Sequence, residues 1–211
     1  MFILVLIFNY FLLLYYIMFK NSNFSIPPNL DVADIIQRIQ TPLTDADVER
    51  YFGSGKNSEV MKYSEIKDYR TIDDLLPLPI DFRIVLVEQE KNVGHWVCFL
   101  KYKNIVESFN SYGKDIDKQK DTFGAIKNKL LGQQTDYLTN LVKKSKYKYV
   151  INKTPFQAHE DGINTCGRWC ILRIIAMKDL FMDLEAFRKM VIKGCNDLKV
   201  EPDALVSIWI N

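Results

Sequence analysis

The chain is short of everything that would give it away by bulk composition. It has only 2 histidines and 4 cysteines in 211 residues. Four cysteines in a chain this long do not make a small disulfide scaffold, so reduced thiols are the expectation. No C-x2-C pair occurs, and Cys166 and Cys170 are spaced by four on one apolar stretch. That excludes the paired-ligand pattern of structural zinc. No charge dominates either, with 28 Lys+Arg against 26 Asp+Glu, so there is no global pull toward nucleic acid or an acidic surface. No internal repeat is present. The first nineteen residues lack any charge, and only Asn9 interrupts an apolar and aromatic run. A basic start and a small-residue cleavage site are also missing there, which argues against a cleaved signal peptide. The segment 1–19 is then either a membrane anchor, since nineteen helical residues span about 28 Å, or translation from a mis-assigned start upstream of Met18.

What remains has the size of one domain. Residues 20–43 carry a Pro-Pro pair and read as an irregular lead-in, placing the domain at 44–211. Thr44 followed by early acids opens a short helix over 44–52, and Thr71 caps a helical turn over 71–76 that prolines stop. The segments 82–90, 95–102 and 104–110 are short, rich in Val, Ile and Phe, and joined by tight turns, so they read as strands. Residues 114–145 have helical composition, 146–151 read as a further strand, and helices are expected from Cys166 and over 183–194. Helices, then strands, then helices make the fold class α+β.

Cys98, Cys170 and Cys195 lie in apolar elements and read as small buried hydrophobes. Cys166 differs. It precedes Gly167 at the expected first turn of a helix, where free N–H groups and the helix dipole favour an anion. A nucleophilic thiol needs a base. His95 begins a strand beside Gly94, whereas His159 lies in the loop before Cys166. A base also wants an orienting acceptor. If the second and third strands pair as a hairpin centred between residues 102 and 103, Asn110 lies opposite His95. Gln157 is then a candidate side-chain donor to the oxyanion of acyl transfer, beside the Cys166 N–H.

The run GHWVCFLKYKNIVESFNSYG, followed by PFQ and NTCGRWC, resembles the adenain-like cysteine proteases. These are the adenovirus maturation protease and its relatives in virophages, polinton-like elements and large DNA viruses, which share a fold with SUMO- and ubiquitin-like protein proteases. LTDADVERYF and KYSEIKDYRTIDDLLP are also similar to the virophage and giant-virus branch, so the resemblance covers about residues 43–180. It implies a circularly permuted papain-like fold, with a small mixed sheet packed by helices. It also implies His95 as catalytic base, Asn110 as third member, Gln157 in the oxyanion hole and Cys166 as nucleophile, with Trp96 packed beside the histidine. Two departures stand out. The third member is more often Asp or Glu, and the interval from Gln157 to Cys166 is longer, so that His159 or Glu160 could intrude on the site.

The activity implied is a thiol endopeptidase that cuts viral capsid or core precursors near glycine or other small residues, in the virion or the viral factory of the host cytoplasm. The alternative is a ubiquitin- or SUMO-deconjugating protease acting on host proteins, and a third reading is a non-catalytic binding module. No cofactor is required by this chemistry. The family's use of DNA suggests DNA or a peptide as activator. The segment 114–148, with nine lysines and four aspartates, is where DNA would bind. A membrane is a partner only if 1–19 is retained.

Overall fold

The structure, a computed structural model, describes residues 31–53 and 60–210. The apolar segment 1–19 and the rest of residues 1–30 lie outside the described residues. Among the described residues, no helix is long and apolar enough to cross a membrane.

The elements follow in the order α1 (Val32–Gln40), α2 (Asp45–Phe52), β1 (Val60–Lys62), a 3-10 turn (Tyr63–Asp68), α3 (Ile72–Leu75), β2 (Asp81–Glu90), β3 (Val93–Tyr102), β4 (Ile105–Phe109), α4 (Ile116–Asp121), α5 (Ala125–Leu130), α6 (Tyr137–Lys143), β5 (Lys148–Ile151), α7 (Cys166–Lys178), α8 (Leu184–Leu198) and α9 (Pro202–Trp209). The five strands form one mixed sheet in the order β1-β2-β3-β4-β5, antiparallel at its centre and parallel at both edges. The class is α+β, as expected.

Both sheet faces are covered, which is why β2 and β3 read as nearly unbroken apolar runs. Ile84, Leu86, Trp96, Cys98 and Leu100 face a core shared with α7 and α8. Val85, Val87, Val97 and Phe99 face a second core with Tyr63, Ile66, Leu75, Ile116 and Leu138. Helix α7 is the central pillar, and twelve of its thirteen residues are buried. Its charged Arg173 is fully buried and makes a two-point ion pair with Glu107 of β4, at 2.8 and 2.7 Å.

Three differences from the sequence reading matter for the site. Residues 32–40, expected to be irregular, form α1, with Asp31 as N-cap. The hairpin of β3 and β4 is centred between Lys103 and Asn104, because Tyr102 pairs with Ile105 and Cys98 with Phe109. Asn110 therefore lies just past the end of β4, two residues off the expected pairing with His95. Residues 114–145, of helical composition, form three short helices, and Lys120 of the lysine-rich segment is not on a solvated face but buried against Asp136 at 2.7 Å.

Candidate active site

Elements from the far ends of the chain converge where β3 begins and α7 starts. Gly94 lets β3 approach β2 closely, since a Cβ there would lie 2.1 Å from the Val87 carbonyl oxygen. His95 follows it and is buried. Just beyond β4, Asn110–Gly113 form a tight turn closed by the Gly113 N–H donating to the Asn110 carbonyl at 2.9 Å. Gly113 has φ +69°, and a Cβ on it would collide with the Lys153–Pro155 backbone. That close approach, with the Asn152 amide donating to the Asn110 carbonyl at 2.7 Å, docks the turn onto the strand that leads to Gln157.

The turn is a hub. Asn110 Oδ1 lies 2.9 Å from His95 Nε2 and accepts the Tyr112 backbone N–H at 2.9 Å. An amide NH2 could not accept from that N–H, so the oxygen is fixed in place. Because Asn110 Oδ1 can only accept, Nε2 of His95 must carry a proton. The neutral ring then keeps its lone pair on Nδ1, the nitrogen able to act as base. The hydroxyl of Ser111 donates to Gln157 Oε1 at 2.8 Å, and the Ser111 carbonyl accepts the Phe156 and Gln157 N–H groups. The Tyr112 ring stacks on the His95 imidazole, with centroids 4.3 Å apart and planes at 13°.

Cys166 stands at the first position of α7, with its sulfur facing the backbone N–H groups of Trp96, Gly167 and Cys166 itself. Trp96 directly follows His95, so thiol and base belong to one corner of the fold. Burial pushes the Cys166 thiol pKa up, against the pull of those three donors. Burial also lowers the His95 pKa to about 4, opposed by its bond to Asn110. Both shifts favour the uncharged forms, a thiol and a neutral imidazole.

Gln157 is held from both ends. Phe156 stacks on Trp169 of α7. The Gln157 amide donates to the Ile163 carbonyl at 3.1 Å and makes a long 3.4 Å contact to the Tyr112 hydroxyl. One N–H is therefore committed to the loop, and the other has only the long contact to Tyr112, which an oxyanion could displace. The lengthened loop is tied down by Asn164, whose backbone N–H and side-chain amide donate to the carbonyls of Ile39 and Gln40 in α1. His159 does enter the site's surroundings, its ring 4.7 Å from that of Tyr112. Glu160 lines a cleft of about 990 Å³ that opens against Tyr112 and Gln157, between the 155–163 loop and the start of α9.

Trp96 was expected to flank the histidine. One imidazole face is covered by Tyr112, and the Trp96 indole lies against Gly167 and donates to the Leu43 carbonyl at 3.3 Å. The sequence reading named Asn110 but passed over Ser111 and Tyr112, although both stand in the same FNSYG run. Cys98 and Cys170 are neighbouring thiols in the core, and burial raises Cys170 well above the usual range.

No family model matches the chain. Over 152 residues, covering 72% of this chain and 85% of the relative, it is 38% identical to a Sputnik virophage protein named "Uncharacterized protein V9". With that identity over most of both lengths, the chain belongs to the family of this virophage protein.

Proposed function

We propose that the chain is a thiol endopeptidase of the adenain-like type, acting on capsid or core precursor proteins of a virophage or a related virus. The observation that carries the reading is the pairing of His95 with Asn110, in the tautomer a base requires, in the same corner as a thiol at a helix N-terminus. The hairpin of β3 and β4 accounts for the meeting of His95 and Asn110, and the thiol at the start of α7 reaches the same corner from a distant part of the chain. The virophage relative supports the viral setting.

In this reading a substrate carbonyl settles against Cys166, and its oxygen meets the Cys166 N–H and takes the Gln157 N–H from its long contact with the Tyr112 hydroxyl. His95 Nδ1 takes the thiol proton as Sγ bonds to the carbonyl carbon, and the carbonyl π pair moves to oxygen. The tetrahedral adduct collapses, the C–N bond breaks, and the imidazolium returns its proton to the leaving amine. Water then attacks the thioester and gives one proton to His95. Collapse expels the Cys166 sulfur, which regains that proton, and releases the carboxylic acid. Asn110 holds the ring without adding charge.

The test is co-expression with the capsid proteins of the same virus, wild type beside Cys166→Ala, with products mapped by mass spectrometry. Precursor cleavage confined to the wild type is the expected result. Cleavage that persists in Cys166→Ala, or ubiquitin- and SUMO-vinyl-sulfone labelling in place of capsid processing, rejects it.

A further inference from the structure

The first turn of α7 is capped in an unusual way for this chain. Thr44 and Thr71, the threonines that begin α2 and α3, turn their hydroxyls inward and accept the N–H of the third helical residue. Thr165 begins α7 and makes no such bond. Its hydroxyl instead donates to the carboxylate of Asp203, in the first turn of α9. The same carboxylate accepts the Trp169 indole N–H at 3.2 Å and, through its other oxygen, the backbone N–H of Ala158 at 2.8 Å. Asp203 is 6% exposed, and its three donors come from the residue after Gln157, the residue before Cys166 and the second turn of the nucleophile helix.

We propose that Asp203 is a positioning residue for the active site, one that fixes the start of α7, with the N–H groups around Cys166, and sets the Gln157 loop against them. The inference rests on the thiol-hydrolase reading for its catalytic meaning. An N-cap hydroxyl normally takes the N–H of the second or third helical residue, here Gly167 or Arg168. The Gly167 N–H is one of the donors facing the Cys166 sulfur. Thr165, with ψ 1° where Thr44 and Thr71 have ψ 168° and 164°, cannot reach those N–H groups, and its hydroxyl is instead the handle by which Asp203 pins the residue before Cys166. Through Ala158 it fixes the backbone next to Gln157, so both contributors to an oxyanion site hang on one carboxylate. Only an acceptor at both oxygens can do this. An asparagine must present its NH2 either to the Ala158 N–H or to the Thr165 and Trp169 donors.

Asp203→Asn, Thr165→Val and Thr165→Ser test this. Two rates are read: the acylation burst with the p-nitrophenyl ester of an N-blocked glycine, and alkylation of Cys166 by iodoacetamide across pH. A mispositioned donor costs about 10–100-fold in rate. Asp203→Asn should therefore slow the burst by about that factor, with KM within about threefold. It should also move the alkylation curve up by about half to one pH unit, since a donor to the thiolate is lost. Thr165→Val should follow it, and Thr165→Ser, which keeps the hydroxyl, should recover most of what Val loses. A folding defect alone would lower the active fraction and the melting temperature without moving the alkylation curve. An unshifted curve in Asp203→Asn overturns the proposal. If that variant does not fold, equal behaviour of Thr165→Val and Thr165→Ser overturns it. A wild type with no burst rejects the hydrolase reading alone, because the alkylation curves still decide the role of Asp203.

Discussion

Asn110 Oδ1 serves two donors at once, His95 Nε2 and the Tyr112 backbone N–H, each at 2.9 Å. The second bond is what makes the first one directional. Asn110→Ala removes both and frees the ring, so activity should fall by roughly 10–100-fold, the range for a misplaced catalytic group. Asn110→Asp keeps both acceptors and removes an amide nitrogen that has no partner among the described residues. It also adds a negative charge beside the imidazole, which favours the protonated ring. The acid limb of the pH–rate profile should therefore move to higher pH in Asn110→Asp while activity is retained. An unmoved limb, or loss equal to that of Asn110→Ala, contradicts the assigned geometry.

Burial of His95 also predicts a pH dependence of stability. The folded ring has a pKa of about 4, against about 6.5 for a free histidine. Between those values the unfolded chain binds a proton that the folded chain refuses. Stability from this group is thus intact above about pH 6.5 and lost as pH falls toward 4, to the extent of about 3 kcal/mol. Urea unfolding of wild type and His95→Gln at pH 7 and pH 4.5 isolates it, because the remaining groups titrate in both. The stability difference between the two proteins should shift by about 2–3 kcal/mol in favour of the variant at the lower pH. Parallel behaviour contradicts a buried, neutral His95.

Gly113 and Gly53 both have positive φ but differ in surroundings. A Cβ on Gly113 would lie 2.8 Å from Pro155 N, whereas one on Gly53 meets nothing within 4 Å. Gly53→Ala should cost only the strain of a backbone conformation (φ 77°, ψ 163°) that a Cβ disfavours, about 1–3 kcal/mol. Gly113→Ala must in addition push apart the turn and the 153–155 backbone, and so displace Asn110 and Tyr112. It should cost more in thermal unfolding and also lower the burst rate, while Gly53→Ala leaves that rate alone. Equal effects of the two substitutions on rate would contradict the docking of the turn.

The Glu107–Arg173 pair, with both side chains 0% exposed, should behave as a buried pair whose rupture strands a charge. Glu107→Gln alone should destabilise by about 3–5 kcal/mol. Replacing both residues by leucine should cost much less than the sum of the single changes, and a double-mutant cycle in urea measures this. Additive effects would contradict a desolvated pair.

The parts of the site that could be read from the sequence were those with a local physical signature. Cys166 before Gly167 at a helix start, the Val- and Ile-rich strands and the turn near Lys103 each announce themselves within a few residues. The hairpin register did not. Alternation fixes which face a side chain takes but says less about where the turn is centred, and the true centre lies one residue beyond the expected one. Helix α1 was passed over because none of its residues is buried, and its service to the loop runs through the carbonyls of Ile39 and Gln40, which side-chain patterns do not report. Asp203 had a legible setting, just after Pro202 at a helix start, but nothing local tied it to Thr165 and Ala158, some forty residues earlier.

The most direct test of the account is to trap the acyl-enzyme. Wild-type protein is mixed with the p-nitrophenyl ester of an N-blocked glycine near pH 7, quenched in acid and mapped by mass spectrometry. The account predicts one thioester, on Cys166, which is lost in His95→Ala and absent from Cys98, Cys170 and Cys195. Absence of an adduct on Cys166, or an adduct whose yield is indifferent to His95, would contradict it.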